Sequence, residues 1–194
     1  MFYSNSIIWI FCFSICFSIS GYSQNKLERE FRIKSSDVPT LALDFMNQGP
    51  FDKKIKWYAE ESQNGKSIEA KTCYKNIKYS IEFDTNGKPQ DVEQKVSFAS
   101  IPESLRKQIK SSLDSVFVKS KIKKIQKQWV GSRSALISLI NQKTTPQSYD
   151  LNYEFIVRGK KDKQYTNYEL LYNKKGVLLQ ILKIVSANTD NLIY

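Results

Sequence analysis

The sequence predicts an α+β fold in which tandem duplicated α-β-β-β-β units share one curved antiparallel sheet, with the helices on one face. Three observations predict it. Residues 79–96 (YSIEFDTNGKPQDVEQKV) align without a gap on residues 168–185 (YELLYNKKGVLLQILKIV), Gly87 falling on Gly176. Upstream, residues 37–46 resemble residues 100–109 and residues 53–57 resemble residues 123–127, so three matches run in one order. Each copy also opens on an apolar stripe of helical period and continues in alternating segments, the pattern of helices packed on an antiparallel sheet.

The chain opens on residues 1–23, which hold none of the 30 basic and 19 acidic side chains. Residues 7–19 (IIWIFCFSICFSI) are continuously apolar or small, too short to span a bilayer as a helix and of the length of a signal-peptide core. Gly21 and Ser23 stand three and one positions before Gln24, which places cleavage after Ser23 and predicts export, to the periplasm or beyond, with membrane contact only through the signal peptide. Residues 24–35 read as a lead-in, 36–99 as the first unit, 100–186 as the second with an insertion at 132–146, and 187–194 as a tail.

In the first unit Val38, Leu41, Ala42 and Phe45 make one stripe, with Asp37 at the expected N-cap and Pro39 in the first turn. In the second, Ser100 and Glu103 have the capping-box spacing, and Ile101, Leu105, Ile109, Leu113 and Val116 repeat the stripe. Strands follow: Ile55, Trp57 and Ala59 mark one, a turn at Gln63-Asn64-Gly65 reverses the chain, and residues 67–74 form another. Tyr79, Ile81 and Phe83 then alternate with polar residues, Thr85-Asn86-Gly87 turns, and Val92 to Phe98 alternates again, which reads as a hairpin with one wet face. The second unit's strands fall near 122–130, 149–158, 165–172 and 177–185.

Val38-Pro39, Phe45, Trp57, the YxIxF strand at 79–83, Gly87 and the second Ile101-Pro102 resemble the PepSY-like family of exported bacterial proteins, which is similar in architecture to the β-lactamase inhibitory protein. The resemblance covers nearly all of residues 36–186. It implies an exported, noncatalytic binding module of inhibitor-like or ligand-binding kind, and brings no catalytic residues with it. The insertion at 132–146 and Lys127, where Trp57 has its match, depart from the pattern.

Composition narrows the chemistry. No histidine occurs, which removes histidine-based nucleophile activation and most zinc chemistry. Cys12 and Cys16 fall in the leader, so Cys73 has no partner for a disulfide within the mature chain. Asp84-Thr85-Asn86-Gly87 lacks the remaining ligands of a calcium loop and reads as a turn, as does its counterpart Asn173-Lys174-Lys175-Gly176. Glu60-Glu61 and the pair Glu82 with Asp84 are the best candidates for acid/base work, but an alternating strand predicts a solvated face for them. No catalytic, cofactor or metal residues are therefore assigned. Between Glu103 and Arg133 stand nine basic residues against two acids. Only five of the 30 basic residues are Arg, so attraction to an acidic protein or an anionic envelope component is expected rather than nucleic acid. In the aligned hairpins Glu82 becomes Leu171, Pro89 becomes Leu178 and Glu93 becomes Leu182. Those leucines, rimmed by Lys174, Lys175 and Lys183, form the candidate partner-binding patch, unless Ala135, Leu136, Leu139 and Ile140 of the insertion lie over it as a helix. A structural or adhesive surface protein and a carboxylate-only hydrolase remain the alternatives, the hydrolase requiring a deep pocket that holds two of the named acids.

Overall fold

The computed structural model describes residues 24–63, 65–143 and 148–185. The expected signal peptide and its cleavage point, the tail at 187–194, Asn64 of the first turn and residues 144–147 of the insertion lie outside them. Among the described residues no helix is long and apolar enough to cross a membrane.

The lead-in forms two strands, β1 (Gln24–Lys26) and β2 (Glu28–Ile33). Helix α1 (Thr40–Asn47) precedes β3 (Lys56–Ser62), β4 (Gly65–Tyr74), β5 (Ile77–Phe83) and β6 (Pro89–Lys95). Helix α2 (Glu103–Val116) then precedes β7 (Lys119–Gly131), β8 (Tyr149–Lys161), β9 (Gln164–Asn173) and β10 (Leu178–Ile184), with a third helix, α3 (Arg133–Ile140), between β7 and β8. A helix followed by four strands thus occurs twice, and the insertion supplies an extra helix whose N-terminus Ser132 caps by accepting the Ala135 N–H at 3.3 Å.

Both helix starts differ from the expected caps. Pro39 and Pro102 occupy the N-cap positions in extended backbone, and neither helix has a side-chain cap. Asp37 and Ser100 instead end short 3-10 turns, Ser35–Asp37 and Phe98–Ser100, that lead each helix in. Because α1 begins only at Thr40, Leu41 turns outward at 53% exposure and the buried stripe is Ala42, Phe45 and Met46. The α2 stripe is as expected, with Ile101, Leu105, Ile109 and Leu113 buried.

The ten strands form one sheet in the order β1-β10-β9-β8-β7-β6-β5-β4-β3-β2. From β2 to β10 every pairing is antiparallel; β1 alone pairs in parallel, with β10. The flat spatial order conceals a closure, because β1 and β2 are one continuous segment separated by Leu27. Lys26 pairs with Ile184 at one edge of the sheet, while Glu28 pairs with Ser62 at the other. Two strand spacings and two residues of extended chain put Ile184 and Ser62 within about 17 Å of each other. The sheet is rolled, and the N-terminal segment clasps its edges together.

All three helices pack on the outer face. One apolar cluster joins Ala42, Phe45, Trp57, Phe83, Val92, Trp129, Leu136 and Ile140, and a second joins Ile101, Leu105, Ile109, Phe155, Leu170 and Tyr172. The first contains α3, so residues from beyond the midpoint of the chain complete the core around α1: Arg133 donates to the Leu41 carbonyl at 3.0 Å and Asn141 to that of Gln48 at 2.9 Å. The two matched turns dock in the same way. Asp84 Oδ1 accepts from the N–H groups of Asn86 and Lys88, and Asn173 Oδ1 from those of Lys175 and Val177. Gly87 (φ +84°) then lies under α1 and Gly176 (φ +79°) under α2, where a Cβ would stand 2.8 Å from the Ala42 nitrogen or 2.6 Å from Gln108 Oε1. A left-handed turn and a close helix approach together require glycine.

Candidate functional site

Alternation along each strand sends the residues between the core positions to the inner face of the roll. These line a hollow of about 1040 Å³ that is partly open to solvent. On the β2–β4 wall stand Glu28, Glu30, Glu60 and Glu69; on β5 and β6, Glu82, Asp91 and Glu93; on β8 and β9, Glu154 and Glu169. Nine of the chain's 19 acids face one another in a protein whose net charge is +11. Depth sorts the charges. Glu60, Glu69, Glu82, Asp91, Glu93, Glu154 and Glu169 are buried or half-buried, whereas of the lysines only Lys26 and Lys71 are; Lys53, Lys54, Lys56, Lys78, Lys95 and Lys124 are exposed around the mouth.

The pairing register orders the acids. Glu69 lies opposite Glu82, and Glu82 opposite Asp91, so three carboxyls stand side by side on three adjacent strands. Two strands further on, Glu154 lies opposite Gln126. Gln128 Nε2 donates to Asp91 Oδ2 at 3.0 Å and Gln126 Nε2 to Glu93 Oε2 at 2.5 Å. The amides of β7 therefore serve the carboxyls of β6. Gln126 Oε1, in a side chain only 7% exposed, is buried and accepts no hydrogen bond among the described residues.

Two lysines satisfy part of the charge. Lys71 Nζ is 2.7 Å from both Glu30 Oε2 and Glu69 Oε2, and Lys26 Nζ is 2.7 Å from Glu169 Oε2 and 3.3 Å from Glu28 Oε2. Burial works against both ammonium groups, but their carboxylate partners outweigh it and hold each lysine firmly charged. Lys124 Nζ stands 3.8 Å from Glu154 Oε1, and among the described residues no ammonium lies within ion-pair distance of Glu60, Glu82, Asp91 or Glu93. Burial, then the charge of Glu82 and Glu154, pushes Asp91 up to about 8. Burial and a hydrogen bond shared with Glu69 push Glu60 to about 9, while burial, then Glu154 and Asp91, pushes Glu93 well above the carboxylate range. Glu82 and Glu154 are also raised, chiefly by burial. Glu69 goes the other way: burial raises it, but hydrogen bonds with Glu60, Lys71 and Ser80 outweigh that and leave it below its ordinary value.

This arrangement corrects the expectation of a wet hairpin face, because the polar side of the 79–96 hairpin lines an enclosure. It brings Glu60 and Glu82 of the candidate acids together. Glu61 is instead half-buried outside the hollow lining and pairs with Lys66 at 2.7 Å, and Asp84 is spent in its turn. The condition set for carboxylate-only chemistry, a pocket holding two named acids, is thus present. The half-buried thiol of Cys73 also lies on the hollow wall.

The proposed leucine patch is not assembled on one face. Leu171 and Leu182, opposite Glu154 and Glu169, are half-buried on the inner face. A bulge in β10 between Leu178 and Gln180 shifts the alternation, so Leu178 packs against the outer core around α2. Lys183 is exposed on that outer side, opposite Tyr168, and Lys174 and Lys175 are exposed in the turn. Nor does the insertion lie over Leu171 and Leu182: Leu136 and Ile140 of α3 are buried in the cluster around α1 instead. The residues missed by reading the sequence are Glu69, Asp91, Glu93, Gln126, Gln128, Glu154, Glu169, Lys26 and Lys71. The acids and amides among them share one signal, a Glu, Asp, Gln or Asn at every second position on neighbouring strands.

No family model matches the chain, and no curated protein matches it. Among solved structures it is similar to a BLIP-like protein from Bacteroides fragilis NCTC 9343, with 14% identity over 78% of this chain and 90% of that one and a TM-score of 0.48. It is also similar to a protein described as a putative periplasmic protein from Bacteroides eggerthii DSM 20697 (12% identity, 78% and 93% coverage, TM-score 0.49). A DUF2874 family protein from Bacteroides ovatus ATCC 8483 is similar at 10% identity, with 75% and 87% coverage and a TM-score of 0.43.

Proposed function

We propose that the protein is an exported, noncatalytic binding module, built from a duplicated helix-and-four-strand unit of the PepSY-like kind, and that the acidic hollow is where it takes its ligand. The observation that carries the reading is the excess of carboxyls at depth: of the charged groups lining the hollow, seven acids but only two lysines are buried or half-buried. Like charges directly opposite one another on neighbouring strands destabilise a sheet, and polar groups buried without partners are costly. Such a face is held only with protons retained on its carboxyls or with something cationic bound there, and clusters of this kind mark functional sites. Export is supported by the apolar segment at 7–19 and the small residues before Gln24.

One observation favours acid/base catalysis as a second reading, namely that Glu60 and Glu69 are displaced in opposite directions. Against it, Lys71 holds Glu69 at 2.7 Å, which commits that carboxylate to an ion pair rather than to a proton transfer.

A thermal-shift panel of small cations and anions on the secreted protein tests the binding reading. Cations should raise the melting temperature and anions should not; protection by neither class would remove the hollow as a binding site. N-terminal sequencing of the same material should begin at Gln24.

A further inference from the structure

We propose that the hollow is a receptor for a linear oligoamine, whose ammonium groups bind along the row of Glu69, Glu82 and Asp91 and at the Gln126 carbonyl beside Glu93 and Glu154. The inference rests on the reading of the hollow as a binding site and names the chemical class of its ligand.

The Gln126 amide points to a donor that the protein does not itself supply. Its nitrogen donates to Glu93 at 2.5 Å, and its Oε1 is buried without a hydrogen. A buried acceptor without a donor is costly, so a ligand N–H placed there gains more than a solvent-facing contact would.

Spacing separates an amine chain from a metal ion. A divalent cation needs its oxygens within about 5 Å of one another, since each binds at about 2.1–2.6 Å. Among the described residues the one acidic trio that close is Glu30, Glu60 and Glu69. Lys71 already places its ammonium 2.7 Å from two of those three, so an amine fills the position where an ion would sit. The deeper acids are distributed instead from strand to strand, at steps of about 4.8 Å. Ammonium groups three or four carbons apart are about 5–6 Å from one another when extended, which matches that step. The methylenes between them need apolar contact, and Ile156, Ile184 and the Tyr58 ring line the same hollow. The two internal lysines show the chemistry at work: each is an ammonium on a short carbon chain, clamped between two carboxylates.

Protons are the counterpart of the ligand. The groups facing the row are Lys26 and Glu28 from the clasp, Glu60 and Lys71 from β3 and β4, Lys124 from β7, and Glu154 and Glu169 from β8 and β9. With the two half-buried lysines already paired, the raised carboxyls hold protons that an arriving oligoamine displaces. A lone amine stays charged to about pH 10, and neighbouring ammonium groups lower the inner amines of an oligoamine to about pH 8, so binding tightens as pH rises from about 6 to about 8 and releases protons.

Isothermal titration of the full secreted chain at pH 8 in 0.15 M salt, with butylamine, putrescine, spermidine and spermine, tests this. Affinity should rise at least tenfold from diamine to triamine, and titrations in buffers of different ionisation enthalpy should show protons released. Asp91→Asn and Gln126→Leu should each weaken spermidine at least tenfold, with cooperative melting confirming that both fold; the conservative Glu82→Gln gives a third reading if either does not. Equal affinity for butylamine and spermidine, or tighter binding of calcium or magnesium, would overturn the oligoamine while leaving the hollow a cation site. Tighter binding of an oligolysine peptide than of spermine would also overturn it, in favour of a peptide ligand. No binding of any cation would remove both readings.

Discussion

Asp91→Asn should make the protein more stable above neutral pH, against the usual direction for changing a buried residue. Asp91 is displaced from 3.8 to about 8 because burial and the charges of Glu82 and Glu154 disfavour its ionised form in the folded state. A raised carboxyl pKa means that the folded chain binds this proton more tightly than the unfolded chain. Stability therefore falls as pH climbs from about 4 to about 8, by at most 1.4 kcal/mol per pH unit for one group, and levels off above. Taken alone, the displacement corresponds to about 5–6 kcal/mol. Neighbouring acids share protons and one removed charge relieves the others, so about 2–3 kcal/mol is the gain to expect from a single variant. Asparagine keeps the oxygen that accepts from Gln128 Nε2 at 3.0 Å and carries no charge, so the variant loses no hydrogen bond of the wild type. Urea unfolding followed by the buried Trp57 and Trp129 at pH 5.5 and pH 8 measures the effect. The wild type should be less stable at pH 8 than at pH 5.5, and the variant should narrow that gap and melt about 5–10 °C above the wild type at pH 8. A wild type indifferent to pH across that window, or a variant less stable at pH 8, would refute the account of the hollow as an unmatched acidic array.

Three further outcomes follow from the fold. Gly87→Ala and Gly176→Ala should each lose about 1–3 kcal/mol, because positive φ and a helix backbone or side chain within 3 Å are both imposed on the new Cβ; urea midpoints would show it. Residues 24–99 expressed alone should lack cooperative unfolding, since Trp129, Leu136 and Ile140 complete the cluster around α1; a sharp melt near that of the whole chain would contradict this. Lys26→Met should speed amide exchange in β1 and β10, because Glu169 loses its partner and the clasp its ion pairs; unchanged protection would show that the backbone pairing with Ile184 suffices.

The outer layer was legible in the sequence because it obeys local rules. The α2 stripe, the alternation at Tyr79, Ile81 and Phe83, and the Asp84 and Asn173 turns each follow from a period or a turn type that a few neighbouring residues define. Asp37 and Ser100 misled because a good capping side chain was read without its competitor: proline in extended backbone fixes where each helix can start. The inner face was illegible for a different reason. Glu82 alternating with Phe83 looks the same whether its face meets water or a hollow, and the difference lies in closure. Closure depends on Lys26 reaching Ile184, a pairing between the two ends of the described chain that no local pattern encodes. Leu178 escaped for want of the bulge, which shifts a face without changing the composition of the strand.

Closure also changes what the net charge means. With seven acids but only two lysines at depth in the hollow, the exterior carries a larger positive excess than the overall +11, and Lys119, Lys121 and Lys123 stand exposed along β7. Such an exterior is drawn to anionic surfaces and repels free cations over about one Debye length, roughly 8 Å at physiological salt. The hollow's own field acts at shorter range and in a less polar setting, where salt screens it less. Raising the salt should therefore speed a cationic ligand's entry past the rim lysines while weakening its final affinity only modestly. That is the reverse of ordinary electrostatic steering, in which added salt slows association. Stopped-flow association of spermidine at 20 mM and 200 mM salt separates the two: an entry rate that falls with salt would mean that the acids at depth, and not the lysines at the mouth, govern approach.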